Sequence, residues 1–533
     1  MTPTMLLIGG AVIIASILFN KISDKVGVPA LLAFIVLGML FGTDGIFKIP
    51  FEDYAFAEDV CVTALIFIMF YGGFGTKWSA AKPVALPSVL LSSIGVIATA
   101  FITGLLCHLV FGLDLMEGLL IGAVLSSTDA ASVFSVLRNN KLSLKYNTDS
   151  MLELESGSND PFSYMLTLLI IEFIGRDLSA GYVAFMVIKE IAIGLACGAA
   201  VAFASGAFLK KFNFDTDGFD SVFMIAVALV GYALPTAIGG NGFLSVYIVG
   251  IILGNIKISN KKSLVHFFDG VTGLMQIVVF FLLGLLATPS YIPQTLVLSI
   301  GVFLFLLLIA RPISVAAILL PFKAKLNQIT LVSWAGLRGA ASIVFAILVT
   351  MSSASTSNDV YHVTLTVVLL SIAIQGTLLP YISKKLKMID ESGDVMKTFS
   401  DYSDDEDIQF IRLDIADGHK WIGRSVKELS LIPGMLLVLI RRGGKPILPN
   451  GDTVIEEGDV AVLSASGYRD RGDTITMREI EITPRHKWKN IAVSDLNLRE
   501  STLLLMIRRG DGTIIPRGDT VIQENDIVIE GRL

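Results

Sequence analysis

The sequence contains little charge for its length. Only 17% of its 533 residues are charged, whereas 53% are hydrophobic and the mean hydropathy is +0.72. A soluble domain does not carry so much apolar sequence, so this composition indicates a polytopic membrane protein. Positive charge is scarcer than negative charge, and the formal net charge of −6 argues against nucleic-acid binding.

Cysteine is scarce as well, and the usual enzyme motifs are missing. Cys61, Cys107 and Cys197 lie in apolar runs without metal-ligand spacing, which indicates buried free thiols. The sequence holds no HExxH, phosphate-binding P-loop, CxxC pair or recognisable Ser/His/Asp set. We therefore expect no enzymatic activity and no catalytic residue.

About thirteen apolar segments are long enough to span a membrane. Lysine and arginine concentrate in alternate loops and after the last segment, whereas the other loops contain acidic residues such as Glu52 and Asp53. This asymmetry predicts an N-terminus outside and a C-terminus inside. The segments are 4–20, 28–43, 58–75, 83–111, 116–138, 148–175, 183–209, 219–238, 242–256, 264–288, 292–320, 327–351 and 359–383.

Two strings in the first half recur in the second half. "AFIVLGMLFG" (33–42) matches "SVYIVGIILG" (245–254), and "ALIFIMFYGG" (64–73) matches "QIVVFFLLGL" (276–285) at the same offset. Seven segments separate the copies, so the copies cross the membrane in opposite directions. Inverted repeats are typical of secondary transporters, although one short Gly-rich string alone can match by chance.

The character of the sequence changes after the last apolar segment. We expect a transmembrane domain over 1–387, an acidic linker over 388–407, and two repeats over 408–470 and 475–533. The repeats share HKW, IRRG and GDTVI at matching positions, and each reads as a short helix followed by β-branched strands. The sequence thus predicts a cytoplasmic α+β domain of two tandem copies.

Polar and charged residues interrupt three apolar segments near mid-membrane. They are "LSSTDAASV" (125–133) in the fifth segment, "LELESGSNDPFS" (152–163) in the sixth and "WAGLRGAAS" (334–342) in the twelfth. An isolated charge at this depth costs about 2.5–3.5 kcal/mol, so the three clusters together indicate function. Each cluster alone is also compatible with a helix cap, such as Asp160 followed by Pro161.

The charges in these clusters predict an ion-exchange site. Arg338 keeps its proton and needs a permanent partner, for which Glu155 is the expected residue. Asp129 and Asp160 then have no resident cation, so each must bind a proton or a cation. A site that exchanges one for the other is the minimal chemistry of a proton-coupled cation antiporter.

Helical spacing suggests how the site is built. Ser156 and Asp160 lie four residues apart and share one helix face, and oxygen donors of this kind suit K⁺ or Na⁺. The fifth and twelfth segments are predicted to be broken helices that cross near the midplane, where Asp129 or Arg338 neutralises the helix ends. Pro161 is expected to break the sixth segment or to start a helical turn there.

These residues resemble the monovalent cation/proton antiporter superfamily, in the branch with an Asn-Asp pair. "TDAAS" in place of the commoner Thr-Asp-Pro form is similar to the potassium/proton NhaP-like subgroup. The strings that carry the resemblance are "TDAASVF" (128–134), "ESGSNDP" (155–161), "GFLSVYIVGIILGN" (242–255), "LRGAAS" (337–342) and "SIAIQGTLL" (371–379).

The resemblance implies a homodimeric antiporter of the plasma (inner) membrane of a prokaryotic-type cell, active in pH homeostasis. It implies a core of segments 4–6 and 11–13 beside a fixed interface domain, and electroneutral one-for-one exchange because an Asn precedes the key Asp. Asp160 is implied as the shared cation and proton carboxylate, with Ser156 and Thr128 as further ligands of the monovalent cation. The implied cation- and proton-binding residues are Asp160, Asp129, Thr128, Ser156 and Asn159, and the implied structural ion pair is Glu155 with Arg338.

The tail resembles two tandem RCK C-terminal domains, also called TrkA C-terminal domains, which regulate potassium transport. It has no GxGxxG after a strand, so control by NAD or ATP is not expected. Some such domains bind cyclic di-AMP, and a regulatory nucleotide of this kind is a hypothesis here. Its candidate ligands are Arg441, Arg442, Arg508 and Arg509. The alternative is that these arginines are solvated residues at the ends of strands.

Other functions remain open from the sequence. A sodium-selective Na⁺/H⁺ exchanger would use the same oxygen ligands. A potassium channel with a regulatory tail is disfavoured because the sequence holds no TVGYG-like filter. A sensor that no longer transports is disfavoured by the presence of Asp160 and Arg338.

Overall fold

The chain divides into two compact units, residues 1–403 and 404–533. The structure is a computed structural model, and each unit is described by itself. The described residues are 3–26, 29–129, 132–133, 136–137, 142–175, 179–212, 218–256, 258, 261–352, 354, 356–390, 408–416, 418–429, 431, 435–443, 445–466, 476–484, 486–496, 498, 502–509, 512–514 and 516–532.

The first unit is built from apolar helices. A helix satisfies its own backbone hydrogen bonds, which is what a hydrocarbon environment requires. Seven of the described helices are long and apolar enough to cross a membrane, and shorter apolar helices accompany them. The helices are α1 (Pro3–Val26), α2 (Ala30–Phe41), α3 (Tyr54–Gly75), α4 (Lys82–Phe111), α5 (Leu115–Val124), α6 (Thr148–Gly175), α7 (Ala180–Lys211), α8 (Phe219–Ala237), α9 (Gly242–Asn255), α10 (Lys261–Leu286), α11 (Pro289–Leu319), α12 (Leu326–Trp334), α13 (Ala340–Met351) and α14 (Val360–Lys385), with short turns at Trp78–Ala81 and Lys145–Asn147.

Helix α6 continues without a break through "ESGSNDPFS". It runs from Thr148 to Gly175 with Pro161 inside it, so the expectation that Pro161 breaks or starts a helical turn was wrong. A proline inside a helix frees the carbonyl four residues earlier, here that of Gly157, and buried helices in an apolar environment tolerate this where the surrounding protein compensates. The carbonyl of Pro161 itself accepts a hydrogen bond of 3.0 Å from the side-chain amide of Asn241, the N-cap residue of α9.

The fifth and twelfth segments are interrupted at their polar clusters. Helix α5 ends at Val124 and residues 127–129 have no regular secondary structure, while α12 ends at Trp334 and residues 336–339 are likewise irregular before α13 begins. The backbone N–H of Asp129 donates to the carbonyl of Leu337 at 2.8 Å. The two irregular stretches therefore lie against each other.

Glycines allow two pairs of helices to approach closely. A Cβ on Gly38 of α2 would lie 2.8 Å from the Cα of Gly284 in α10, and a Cβ on Gly250 of α9 would lie 3.1 Å from the Cα of Gly73 in α3. All four glycines belong to the two strings that recur in the sequence. Each helix of a recurring string thus packs against a helix from the other half of the chain.

The start of the predicted acidic linker is packed into the first unit. Met388 is 1% exposed, and residues 388–390 pair with the loop that precedes α6. An apolar side chain in a buried position explains why the packed part extends beyond the predicted boundary at 387. The rest of the predicted linker, residues 391–407, lies outside the described residues.

The second unit contains two four-stranded antiparallel sheets with the same topology. Their strand orders are β1-β4-β2-β3 and β5-β8-β6-β7, and they lie within the two predicted repeats. The strands are β1 (Ile408–Asp414), β2 (Met435–Arg442), β3 (Lys445–Ile447), β4 (Val460–Ser466), β5 (Thr476–Glu481), β6 (Thr502–Arg509), β7 (Gly512–Ile514) and β8 (Ile527–Arg532).

The predicted short helix of each repeat is a single 3₁₀ turn in the described residues, Val426–Glu428 and Val493–Asp495. The backbone N–H groups of Val426 and Lys427 donate to the carbonyls of Thr453 and Gly451, so they are not available to extend a helix. The second unit is therefore β-rich, which corrects the expected α+β composition.

Candidate functional site

The candidate ion site lies where α6 meets the break in the fifth segment. The hydroxyl of Ser127 donates a hydrogen bond to Oδ1 of Asp160. Asp160 is partly exposed, whereas Glu155 and Asn159 on the same helix are 0% exposed. Asp160 is therefore a carboxylate at mid-helix that small ions can reach.

Thr128 connects three of the predicted site residues. Its hydroxyl lies 3.0 Å from the hydroxyl of Ser156 and accepts a hydrogen bond of 2.5 Å from the side-chain amide of Asn159. The carbonyl oxygen of that amide has no hydrogen-bond partner among the described residues. Thr128 follows Ser127 and Asn159 precedes Asp160 in the sequence, so hydroxyl and amide oxygens meet next to the bonded pair of Ser127 and Asp160. A hard cation such as K⁺ or Na⁺ prefers such oxygen donors.

Asp129 lies at the beginning of α13. Its Oδ2 accepts a hydrogen bond of 2.5 Å from the hydroxyl of Ser132, and its side chain packs against Gly339, where a Cβ would find no room. Gly339 is the N-cap residue of α13. A carboxylate at this position is stabilised by the positive end of the helix dipole.

The guanidinium of Arg338 lies at the C-terminal end of a helix, α5, whereas Asp129 lies at the N-terminal end of α13. Its Nη1 donates to the carbonyls of Ser126 and Ser127, at 2.8 and 2.7 Å, just after the end of α5. The guanidinium is 2% exposed and therefore neutralises the negative end of that helix in a dry environment. Asp129 and Arg338 therefore each lie at one end of a broken helix, and the role of either in neutralising that end stays a prediction.

Glu155 forms its ion pair with Arg311 of α11, and this corrects the expected pair with Arg338. The side chains of Arg311 and Glu155 are 3% and 0% exposed. Arg338 is occupied by the helix-end carbonyls, and Gly336 leaves room for Arg311, since a Cβ on Gly336 would lie 2.8 Å from Nε of Arg311. Sequence reasoning missed Arg311, although it is the single charged residue of α11.

Sequence reasoning assigned no role to three residues in or beside the site. Ser127 lies in the polar cluster of the fifth segment, but its hydrogen bond to Asp160 is visible only in the structure. Ser371 accepts a hydrogen bond of 3.0 Å from the backbone N–H of Arg338, and Gln375 bonds to Ser371. The string "SIAIQGTLL" contains both residues but carried no assigned role.

Two of the four arginines predicted to bind a regulatory nucleotide are held in structural ion pairs. Arg442 donates to both carboxylate oxygens of Asp459 at 2.8 Å, and Arg509 does the same with Asp526. Both aspartates are 0% exposed. Bidentate pairs of this kind fix side-chain geometry, whereas Arg441 and Arg508 are exposed to solvent.

These ion pairs perturb the pKa values of their members. The hydrogen bonds from Arg442 hold the pKa of Asp459 below its usual value, and the same bonds raise the pKa of Arg442. Burial opposes the effect at Asp526, but the hydrogen bonds from Arg509 and Gln523 still lower its pKa. The folded state of each repeat therefore favours the ionised forms of the aspartate and the arginine.

The sequence was compared with known families. The profile of the sodium/hydrogen exchanger, transmembrane family matches residues 11–385, and the profile of the TrkA-C domain matches residues 410–467 and 477–529.

Individual relatives match most of the chain. A K⁺/H⁺ antiporter NhaP2 of Shewanella sp. (strain MR-4) is 33% identical over 85% of this chain and 80% of its own length. A K⁺/H⁺ antiporter NhaP of Alkalimonas amylolytica is 33% identical over 72% of this chain and 67% of its own length. The structure of the sodium/proton antiporter MjNhaP1 from Methanocaldococcus jannaschii at pH 8 superposes with a TM-score of 0.63, at 22% identity, and covers 72% of this chain and 99% of that protein. This likeness shows that the first unit has the same fold.

Proposed function

Because the chain belongs to the sodium/hydrogen exchanger family, we propose that it is a secondary antiporter that exchanges K⁺ for H⁺ by alternating access. Relatives that are 33% identical over most of the chain carry the name K⁺/H⁺ antiporter, which favours K⁺ over Na⁺ as the substrate. Relatives of this kind are transporters rather than enzymes. Na⁺ is the alternative cation, since it uses the same oxygen ligands.

The observation that carries this proposal is the environment of Asp160. Asp160 is a partly exposed carboxylate that accepts a hydrogen bond from Ser127 and lies one helical turn after Ser156, whose hydroxyl contacts that of Thr128. A carboxylate in such a place binds either a proton or a cation, but not both, because its one negative charge is neutralised by either. Because the proton and the cation compete for Asp160, the flux of one is coupled to the flux of the other.

The charges around the site support electroneutral exchange. Arg311 and Arg338 supply two positive charges, and Glu155 and Asp129 supply two negative charges when ionised. The cluster is then neutral when Asp160 is protonated, and it carries one negative charge when Asp160 is ionised. One monovalent cation restores neutrality, which fits one K⁺ for one H⁺.

The architecture of the first unit also suits alternating access. We keep thirteen spans, an outer N-terminus and a plasma-membrane location as parts of the proposal. The recurring strings support an inverted repeat, because the close contact of Gly38 with Gly284 has its counterpart in that of Gly250 with Gly73. A homodimer with a core of segments 4–6 and 11–13 is proposed from the family resemblance.

We propose that the C-terminal unit regulates exchange through the segment after α14. The backbone N–H of Lys145 donates to the carbonyl of Met388 at 2.8 Å, and that of Asp390 donates to the carbonyl of Ser143 at 2.9 Å. The side-chain amide of Asn327 holds the carbonyl of Leu386 at 2.9 Å. This segment therefore contacts the loop before α6, the helix that carries Asp160, and the start of α12, the helix that precedes Arg338.

A regulatory nucleotide such as cyclic di-AMP remains a proposal, with Arg441 and Arg508 as its candidate ligands. Deleting residues 404–533 should leave exchange intact and change its dependence on pH or on added cyclic di-AMP. Loss of all exchange from a correctly inserted truncated protein would contradict a purely regulatory role.

Flux in proteoliposomes tests the proposed function. The purified full-length protein is reconstituted with a pH-sensitive dye, and K⁺ and Na⁺ are added separately with the membrane potential clamped at two values. We expect K⁺ to drive proton movement in the opposite direction, at a rate that does not depend on the potential. A cation current without proton movement would instead indicate a channel, and a response to Na⁺ alone would assign the sodium exchanger.

A further inference from the structure

A buried glutamine and a buried serine of α14 lie beside the break in the twelfth segment. Ser371 and Gln375 belong to a π-helical stretch, Ser371–Gly376, and they are 0% and 4% exposed. π-helical stretches inside α-helices frequently mark functional positions. Neither side chain belongs to the ion site described above.

Gln375 satisfies the end of α12. Its side-chain amide donates to the carbonyl of Trp334 at 2.9 Å, and its backbone carbonyl accepts the indole N–H of the same tryptophan at 3.1 Å. Trp334 is the last residue of α12, and its carbonyl is one of those that lack a partner within the helix. Gln375 thus supplies a hydrogen bond that the interrupted helix lacks.

Ser371 connects this end of the break to Arg338. Its hydroxyl accepts the backbone N–H of Arg338 at 3.0 Å and donates to Oε1 of Gln375 at 2.6 Å. Gly376, in the same stretch, allows Leu337 to approach, since a Cβ there would lie 3.1 Å from the Leu337 side chain. The backbone of the break is therefore fixed from both sides by one short stretch of α14.

The same series of hydrogen bonds continues to the ion carboxylate. Nη1 of Arg338 donates to the carbonyl of Ser127 at 2.7 Å, and the hydroxyl of Ser127 donates to Asp160. The hydrogen bonds thus connect Gln375, Ser371, Arg338, Ser127 and Asp160 in turn, and Nη1 of Arg338 donates to the Ser126 carbonyl as well. A change at Gln375 or Ser371 therefore moves the group that donates to Asp160.

We propose that Gln375 and Ser371 are positioning residues of the exchanger, which set the place of Arg338 and, through Ser127, the hydrogen bond on Asp160. This inference rests on the proposed function. The two residues do not touch the transported ion. They determine how strongly Asp160 holds its proton against the cation.

Three substitutions test this role by measuring the apparent KM for K⁺ and the pH profile of exchange in the full-length protein. Ser371→Ala removes the shared hydroxyl, and it should raise the apparent KM roughly 10- to 100-fold, as loss of an outer-shell partner of an ion ligand does. Ser371→Thr keeps the hydroxyl and should restore most of the affinity. Ser314→Ala is the matched control, because among the described residues the buried Ser314 hydroxyl bonds within its own helix, to the Ala310 carbonyl.

Gln375→Glu gives a separate test with almost unchanged shape. An ionised glutamate cannot donate to the Trp334 carbonyl, whereas a protonated one can. Arg311 and Arg338 line the same small cavity as Gln375 and favour the ionised form. Exchange by Gln375→Glu should therefore approach that of the unsubstituted protein at low pH and fall more steeply as the pH rises.

The outcomes separate this inference from the proposed function. If the unsubstituted protein exchanges K⁺ for H⁺ but Ser371→Ala and Gln375→Glu keep its KM and pH profile, the positioning role is wrong. If the unsubstituted protein shows no exchange, the proposed function itself fails. Equal losses in Ser371→Ala and Ser314→Ala would also overturn the role, because they would reflect general destabilisation.

Discussion

At the scale of single residues, the balance of buried charge organises the site. Helical spacing predicted that Ser156 and Asp160 act together, and the family resemblance added Thr128 and Asn159. The structure brings the hydroxyl of Thr128 within hydrogen-bonding distance of Ser156 and Asn159, while Ser127 donates to Asp160. It also adds Arg311 to the cluster. The excess of acidic over basic side chains in the cluster therefore falls from two to one.

The partner of Glu155 could not be read from the sequence. Arg311 and Arg338 lie in different segments, and helix packing alone decides which guanidinium reaches α6. Arg338 is held by the carbonyls at the end of α5, a choice that depends on a helix break of three or four residues. Neither periodicity nor composition records that geometry.

The Glu155–Arg311 pair gives a prediction about stability. Replacing either partner leaves the other as an unpaired buried charge, so Glu155→Gln and Arg311→Gln should each destabilise the protein by about 3–5 kcal/mol. The double variant removes both charges and should be more stable than either single variant. Thermal unfolding of the four purified proteins in the same detergent measures this difference. A double variant as unstable as the sum of the single variants would contradict a direct pair.

At the scale of elements, the local sequence correctly located the two helix breaks, but it wrongly predicted a break at Pro161. The breaks at residues 127–129 and 336–339 occur in the polar clusters singled out from sequence. Pro161 was expected to break α6 and does not, since α6 runs from Thr148 to Gly175. A proline in the sequence therefore does not by itself show where a buried helix ends.

The repeated β-rich domains provide a prediction at the same scale. Arg442 and Arg509 occupy equivalent positions, and each is bonded to a buried aspartate. Arg442→Ala leaves Asp459 buried without this partner and should destabilise the first repeat by about 2 kcal/mol. Amide hydrogen exchange in the full-length protein should become faster in strands β2 and β4. Arg412→Ala is the control, because Arg412 and Asp414 form an exposed pair that contributes little.

The same pair also predicts a direction of pH dependence. The pKa of Asp459 is lower in the folded state than its usual value, so its stabilising contribution is present above that usual value and is lost as the pH falls through the folded-state pKa. The gap in exchange rates between Arg442→Ala and the unsubstituted protein should therefore narrow in strongly acidic buffer. A gap that widens on acidification would contradict the assignment.

At the scale of the whole molecule, the chain combines a transmembrane antiporter unit with a C-terminal regulatory unit. The first unit has the fold of a sodium/proton antiporter, and the second matches TrkA-C domains. The sequence predicted this organisation because hydropathy and internal repeats are properties of long stretches. The packing of residues 388–390 within the first unit was not predicted. An acidic stretch is expected to be solvated, and the sequence does not show that Met388 is buried.

The most direct test of the central claim is exchange by Asp160→Asn in proteoliposomes. We claim that the carboxylate of Asp160 carries the cation and the proton in turn, and asparagine can carry neither charge. The account predicts no cation-driven proton flux from this variant with K⁺ or Na⁺, while Asp220→Asn, which changes a buried carboxylate of α8, keeps most of it. Exchange by Asp160→Asn at a rate similar to that of Asp220→Asn would contradict the account.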